Sequence, residues 1–348
     1  MFKRKHRTLQ KSTTVRKMAR IFAPLRPTST NNMLSYLPPA KNFLGIDAAH
    51  SNQTAAIAIQ PIPLERTTSY GKGTKDGPRQ LLRASHYVEF YDDEFNRELC
   101  FERGIATLEP LPFKKLPIEE SLALIEARIR AIADQHRFVV GLGGEHSVTA
   151  PILRVYAERH AELSVLQFDA HSDLRTEYEG TPYSHACVMA RVAEFLPPRR
   201  IVQVGIRALC SQEAAFIKRH RMPTFFASGI RRGVYGSDWI ERVVDSLTGE
   251  VYITFDVDAL DPSIMPATGT PEPEGLTYSE CIQIARRVVE SGRRIVGFDV
   301  VELAPIKSLH HPNLTAARLV YKLLNIAFAH EQRPSRRRTP RAHRSAGQ

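Results

Sequence analysis

Short continuous apolar runs recur along the chain, near 43–46, 55–59, 138–142, 163–169, 200–205, 223–227, 250–256 and 293–299. Between several of them the apolar positions return every three or four residues instead. Ile118, Leu122, Ile125 and Ile129 share one face within 117–135, with charges opposite, and 279–290 is a second amphipathic segment. Runs of this length without strict alternation read as strands buried on both faces, and strands alternating with helices predict a parallel sheet covered on both sides. The expected fold is α/β, a three-layer αβα sandwich around a mainly parallel sheet of about eight strands. No linker or internal repeat interrupts 43–330, so residues 33–330 are read as a single domain.

Composition changes the picture only at the ends. Of the net charge of +11, residues 1–40 supply nine Lys/Arg with no acid, and 331–348 supply six Arg against one Glu, which leaves the body at −3. Residues 1–32 read as a basic disordered extension. An arm, sequence upstream of the true start and an organelle transit peptide compete for it. Residues 331–348 read as a basic disordered tail. No aromatic residue alternates with the C-terminal arginines, so nucleic acid is expected only non-specifically through the tails. No apolar run approaches the roughly 20 residues of a membrane helix. Four cysteines (Cys100, Cys187, Cys210, Cys281) without C-x-x-C spacing read as reduced thiols, which suits a cytoplasmic protein.

The candidate chemistry sits where strands end. Ser164–Asp173 reads SVLQFDAHSD, an apolar run followed by Asp169, His171 and Asp173 at every second position. With period two these side chains project from one side, and carboxylates with an imidazole at that spacing suit a divalent cation. A solvated turn is the plainer reading of that stretch taken alone. The design recurs at Val251–Asp258, ending in Asp256 and Asp258, and a third apolar run, Phe138–Leu142, leads through a glycine turn into Glu145-His146-Ser147. Three strand ends carrying ligand-type residues fit the placement of sites in parallel α/β sheets. Residues 70–78, YGKGTKDGP, form a Gly-rich loop entering a helix at Arg79–Ser85; without GK[ST] it is no phosphate loop.

Together GGEHS, FDAHSD and FDVDALDP resemble the ureohydrolases, the arginase and agmatinase family of binuclear manganese enzymes, and the resemblance runs from about Phe43 to about Ala329. It implies two Mn2+ per subunit, with His146 and Asp173 on one ion, His171 and Asp258 on the other, and Asp169 and Asp256 bridging. Four aspartates balance two dications, and such a pair lowers the pKa of a shared water. Imidazole ligands argue against calcium, while ligand type leaves zinc and iron open. His185 falls at the family's proton-shuttling histidine, Glu302 at its guanidinium-holding carboxylate, and Thr270 in its site-lining turn; an ordinary loop histidine, a structural ion pair and a plain turn are the alternatives. Glu145 stands where many members have Asp and is read as a tolerated change. A homo-oligomer, trimer or hexamer, is also implied.

Arginases typically carry an Asn shortly after the third cluster ligand, whereas Leu174–Glu179 has none, and DLRTEYEGTPYSHACVM looks like agmatinase-type members. The expected reaction is hydrolysis of agmatine, a small cationic guanidine, to putrescine and urea, supplying polyamine biosynthesis. Glu177 and Glu179 suit its distal amine, or are a solvated loop. Guanidinobutyrate, which Arg175 would favour, arginine and N1-aminopropylagmatine stay open as substrates. The related single-zinc deacetylases and a non-catalytic interaction protein are the other classes; both predict an incomplete ligand set, and this one is complete.

Overall fold

The computed structural model describes residues 34–135 and 137–330; the expectations for 1–32 and 331–348 lie outside them. Eight strands form one sheet: β1 Ile57–Ile62, β2 Ile105–Thr107, β3 Phe138–Gly143, β4 Leu163–Phe168, β5 Ile201–Ile206, β6 Thr224–Phe226, β7 Glu250–Asp256 and β8 Arg294–Val301. Their order is β2-β1-β3-β8-β7-β4-β5-β6, and every pairing is parallel. The expected fold class is therefore the one observed.

Alternation along each strand divides the core. Val251, Ile253 and Phe255 of β7 face a layer that includes Ile284, Val288, Leu319 and Leu323 of the helices Tyr278–Glu290 and His311–Ala327. Tyr252 turns to the other layer, with Ile125 and Ile129 of the helix Ile118–Ala133 and Ile152 of Thr149–Arg159. Burial on both faces explains why the strands read as unbroken apolar runs.

One strand assignment needs correcting. Residues Phe43–Gly45 are a 3-10 turn, not a strand. Leu44 there has φ of 64°, and the amides of Phe43 and Leu44 donate to the hydroxyls of Thr107 and Ser85. Side-chain acceptors thus replace a ladder, which an apolar tetrapeptide cannot signal. The three-residue β2 was missed for the opposite reason, being too short to show a period. It pairs with β1 only as far as Ile59, so Pro61, which has no N–H to donate, falls beyond β2's reach.

Among the described residues no helix is long and apolar enough to cross a membrane, and the four cysteines are unpaired.

Candidate metal centre and active site

β3, β8, β7 and β4 are neighbours in the sheet, and because they are parallel their carboxyl ends share one edge. His146 follows β3, Asp169, His171 and Asp173 follow β4, Asp256 and Asp258 close β7, and Glu302 follows β8. The apolar face turns polar just before each end. On β4 the sequence Val165, Gln167, Asp169 keeps one side, and Gln167 donates to Asp169 Oδ2 at 2.7 Å. On β7 the same step runs Tyr252, Thr254, Asp256.

The two-residue spacing has a local cause. Asp169 Oδ1 accepts the amide of His171 at 2.6 Å, and Asp256 Oδ1 accepts that of Asp258 at 2.8 Å. Each first aspartate thus bonds the backbone two residues on, an Asx-type turn. For Asp256 the second oxygen then faces the cluster. Asp258 divides its oxygens likewise, Oδ1 on the amide of Ala170 and Oδ2 2.9 Å from His171 Nδ1.

The six expected ligands converge. His146 Nδ1 lies 3.1 Å from Asp169, 3.2 Å from Asp173 and 3.4 Å from Asp256. His146-Asp169-Asp173 and Asp169-His171-Asp258 each bring donor atoms close enough to hold a metal ion, with Asp169 in both groups. Asp173 and Glu302 have φ of 53° and 64°, left-handed backbone that is uncommon for non-glycine residues.

The donor set suits cations. His146 Nε2 contacts Thr254 Oγ1 at 2.9 Å, and the Thr254 hydroxyl donates to Asp299 Oδ1 at 2.7 Å. With its hydroxyl proton committed to Asp299, Thr254 accepts from Nε2–H, which leaves the Nδ1 lone pair free. Nδ1 is buried and makes no hydrogen bond although three carboxylates surround it. Those carboxyls also burden one another. Burial, then Asp258 and Asp169, pushes the Asp256 carboxyl well above its usual range, and burial with Asp169 pushes Asp173 up to about 6. Burial opposes protonation of His171, yet Asp258 and Asp169 push it up to about 12. Divalent counter-charge relieves this repulsion.

Glu302 Oε1 accepts the His146 amide at 2.7 Å. Its other oxygen faces the turn at Gly269, where an added Cβ would lie 3.9 Å away. The Gly269 carbonyl accepts the amide of Gly71 at 3.0 Å, and a Cβ on Gly71 would come within 2.7 Å of that carbonyl. Two glycines thus let the Gly-rich loop close onto the turn that carries half-buried Thr270. Beside it Thr268 has a buried hydroxyl without a hydrogen-bond partner, which the sequence reading did not single out. His185 opens a 3-10 turn, His185–Cys187, that packs against the turn His146–Val148.

Residues 55–325 match the arginase family. The chain belongs to that family. An N(1)-aminopropylagmatine ureohydrolase of Synechocystis sp. is 38% identical over 290 residues, covering 82% of this chain and 93% of its own. An agmatinase of Bacillus cereus is 33% identical over 264 residues, covering 74% and 86%. The solved agmatine ureohydrolase of Thermoplasma volcanium superposes with a TM-score of 0.73 at 27% identity, over 83% of this chain and 94% of that one. This arginase-family protein is a ureohydrolase, a hydrolase of guanidino carbon–nitrogen bonds.

The ureohydrolase also uses residues that no motif announced. Asp299, fully buried in β8, accepts hydroxyls from Thr254, Tyr252 and Thr149. Arg207 donates to the carbonyls of Asp258 at 2.7 Å and Glu272 at 2.9 Å, tying the β7 loop to the 272–275 turn. Glu145, which the GGEHS motif does contain, is fully buried and accepts the amides of Arg66 and Thr67 in the segment after β1. A polar residue inside an otherwise apolar strand was the available signal for Asp299.

The agmatinase-like run after Asp173 forms a tight hairpin. Tyr178 and Thr181 exchange amide–carbonyl bonds, and Glu179 and Gly180 both have positive φ, 49° and 81°, as a two-residue primed turn requires. Glu177 and Glu179 are exposed. The Arg175 guanidinium is stacked 5.0 Å from the Tyr178 ring centroid and 3.9 Å from Glu213, which engages the charge that a substrate carboxylate would need.

Proposed function

We propose that this chain hydrolyses an agmatine-type guanidine to urea and a primary amine at a binuclear manganese centre. The convergence of six ligand-type side chains from the ends of β3, β7 and β4 on one edge of the sheet, with the Glu302 carboxylate after β8 beside them, carries the reading. His146 and Asp173 would hold one ion, His171 and Asp258 the other, and Asp169 and Asp256 both. When bound, two such ions supply a water acidic enough to act as hydroxide at neutral pH.

The protein's own groups do the rest. Glu302 Oε2 accepts N–H groups of the planar guanidinium, a charge-assisted contact that fixes its orientation, and the Thr270 turn closes over it. Once oxygen has added to the guanidinium carbon, the C–N bond to the alkyl chain breaks. His185 carries a proton to that nitrogen, which leaves as the amine. The exposed Glu177–Glu179 hairpin suits the distal cation. We read the protein as a cytoplasmic homo-oligomer, trimer or hexamer, serving polyamine biosynthesis.

Agmatine is the first substrate on the sequence pattern. The names of the relatives at 35–38% identity favour N1-aminopropylagmatine, whose extra secondary amine places a further cation along the chain. Urea release from manganese-loaded protein, with these two, guanidinobutyrate and arginine compared side by side, decides between them. Preference for either cationic guanidine is expected. Preference for arginine or guanidinobutyrate would overturn the agmatine-type assignment.

A related expectation concerns the buried relay behind His146. Thr254→Val removes the acceptor of Nε2–H, and Asp299→Asn removes the carboxylate charge that fixes the Thr254 hydroxyl; in each, manganese affinity should fall about 10–100-fold. Competition with a chelating dye measures this directly; unchanged affinity in both variants would remove the relay from the account.

A further inference from the structure

Glu145 is fully buried next to His146, and it reaches across to the segment that leaves β1. Its Oε2 accepts the amides of Arg66 at 2.5 Å and Thr67 at 2.6 Å, and its Oε1 accepts the hydroxyls of Ser147 at 2.6 Å and Thr67 at 3.0 Å. Thr67 has one hydroxyl proton, and Glu145 takes it. The Thr67 oxygen therefore offers only lone pairs to its other neighbours. Both belong to His185: the backbone amide donates to Oγ1 at 2.9 Å, and ring Nδ1 lies 3.3 Å from the same oxygen. Two anchor points, one on the backbone and one on the ring, restrict where the imidazole sits.

The tautomer follows from donor accounting. A contact between Nδ1 and an oxygen whose proton is already committed is favourable only if Nδ1 carries hydrogen. Ser184 Oγ, 3.4 Å from Nδ1, is the competing neighbour, since its hydroxyl is able to donate there and would invert the assignment. Accepting from Ala186 at 3.4 Å leaves the Ser184 proton uncommitted, so the assignment rests on Thr67, whose oxygen also accepts the His185 amide at 2.9 Å and is thereby fixed beside the ring.

We propose that Thr67, anchored by Glu145, is a positioning residue that holds His185 as the Nδ1–H tautomer and leaves Nε2 to move the proton. This rests on reading His185 as the proton carrier. Nε2 takes the proton from the hydroxyl of the tetrahedral adduct and returns it to the departing nitrogen. The C–N bond breaks as the carbonyl of urea forms, and His185 ends neutral, with Nδ1–H unchanged throughout.

The test compares Thr67→Val, Thr67→Ser and His185→Asn for kcat, KM and metal content. It adds 15N NMR of the histidine rings in zinc-loaded, diamagnetic protein, with His185→Asn assigning the resonance. A misplaced proton carrier costs about 10–100-fold. Thr67→Val should lose that much kcat with KM and metal content little changed, and Thr67→Ser should recover most of it. The wild-type ring should show the Nδ1–H pattern and lose it in Thr67→Val. If His185→Asn retains full kcat, the proton-carrier reading falls and this inference with it. If His185→Asn is inactive while Thr67→Val is unaffected, only the positioning inference falls. An Nε2–H wild-type ring overturns the tautomer assignment even if no substrate yields urea.

Discussion

Asp256→Asn should reduce urea release at least ~10³-fold, about 4 kcal/mol of transition-state stabilisation. Its Oδ1 holds the amide of Asp258 and its Oδ2 faces His146, so the substitution touches both halves of the cluster. Asparagine is isosteric and its side-chain oxygen still accepts the Asp258 amide, which keeps the turn. What disappears is one of four negative charges and an anionic oxygen able to bridge. Groups one shell further out commonly contribute 10–100-fold to metal affinity or activity, and a bridging ligand should exceed that. Metal analysis should show fewer than two manganese per chain. Full activity with two ions retained would sink the binuclear reading of these residues.

Glu302→Gln should lower kcat/KM about 10²–10³-fold, or roughly 3–4 kcal/mol. The glutamine oxygen still accepts the His146 amide now bonded at 2.7 Å, so the local fold is expected to survive. The group turned toward Gly269 becomes an N–H donor, which repels a guanidinium instead of binding it. Burial pushes the Glu302 carboxyl well above its usual range, Glu145 and Asp258 add to the rise, and the His146 amide opposes it. A cationic substrate supplies the counter-charge that favours the ionised form. Metal content should be unchanged, which separates this variant from Asp256→Asn. Unaltered kcat/KM would assign guanidinium binding elsewhere, with the unpartnered hydroxyl of Thr268 the first place to look.

The fold and the six-residue cluster were legible because their signals are local. A strand buried on both faces must be continuously apolar, and aspartates that bond the amide two residues on impose their own spacing. The turn Phe43–Gly45 misled because an apolar stretch satisfied by Thr107 and Ser85 has the composition of a strand. The relay Thr254–Asp299 and the anchor Glu145–Thr67–His185 left almost no trace. Their members stand 45, 78 and 118 positions apart, and no single stretch records a hydrogen bond across such a separation.

The sequence alone determined the alternation of strands and helices, the polar ends of β3, β4 and β7, and the ligand types they carry. Periodicity, turn chemistry and charge act over a few residues and are written in order along the chain. Tertiary structure alone decided that β7 and β8 lie between β3 and β4, which brings those ends to one edge. It also decided which oxygen of each carboxylate is spent on the backbone and which nitrogen of His146 stays free. These depend on non-local packing, where a strand's neighbours are chosen by the whole sheet and a buried polar atom must find its partner wherever the fold puts one.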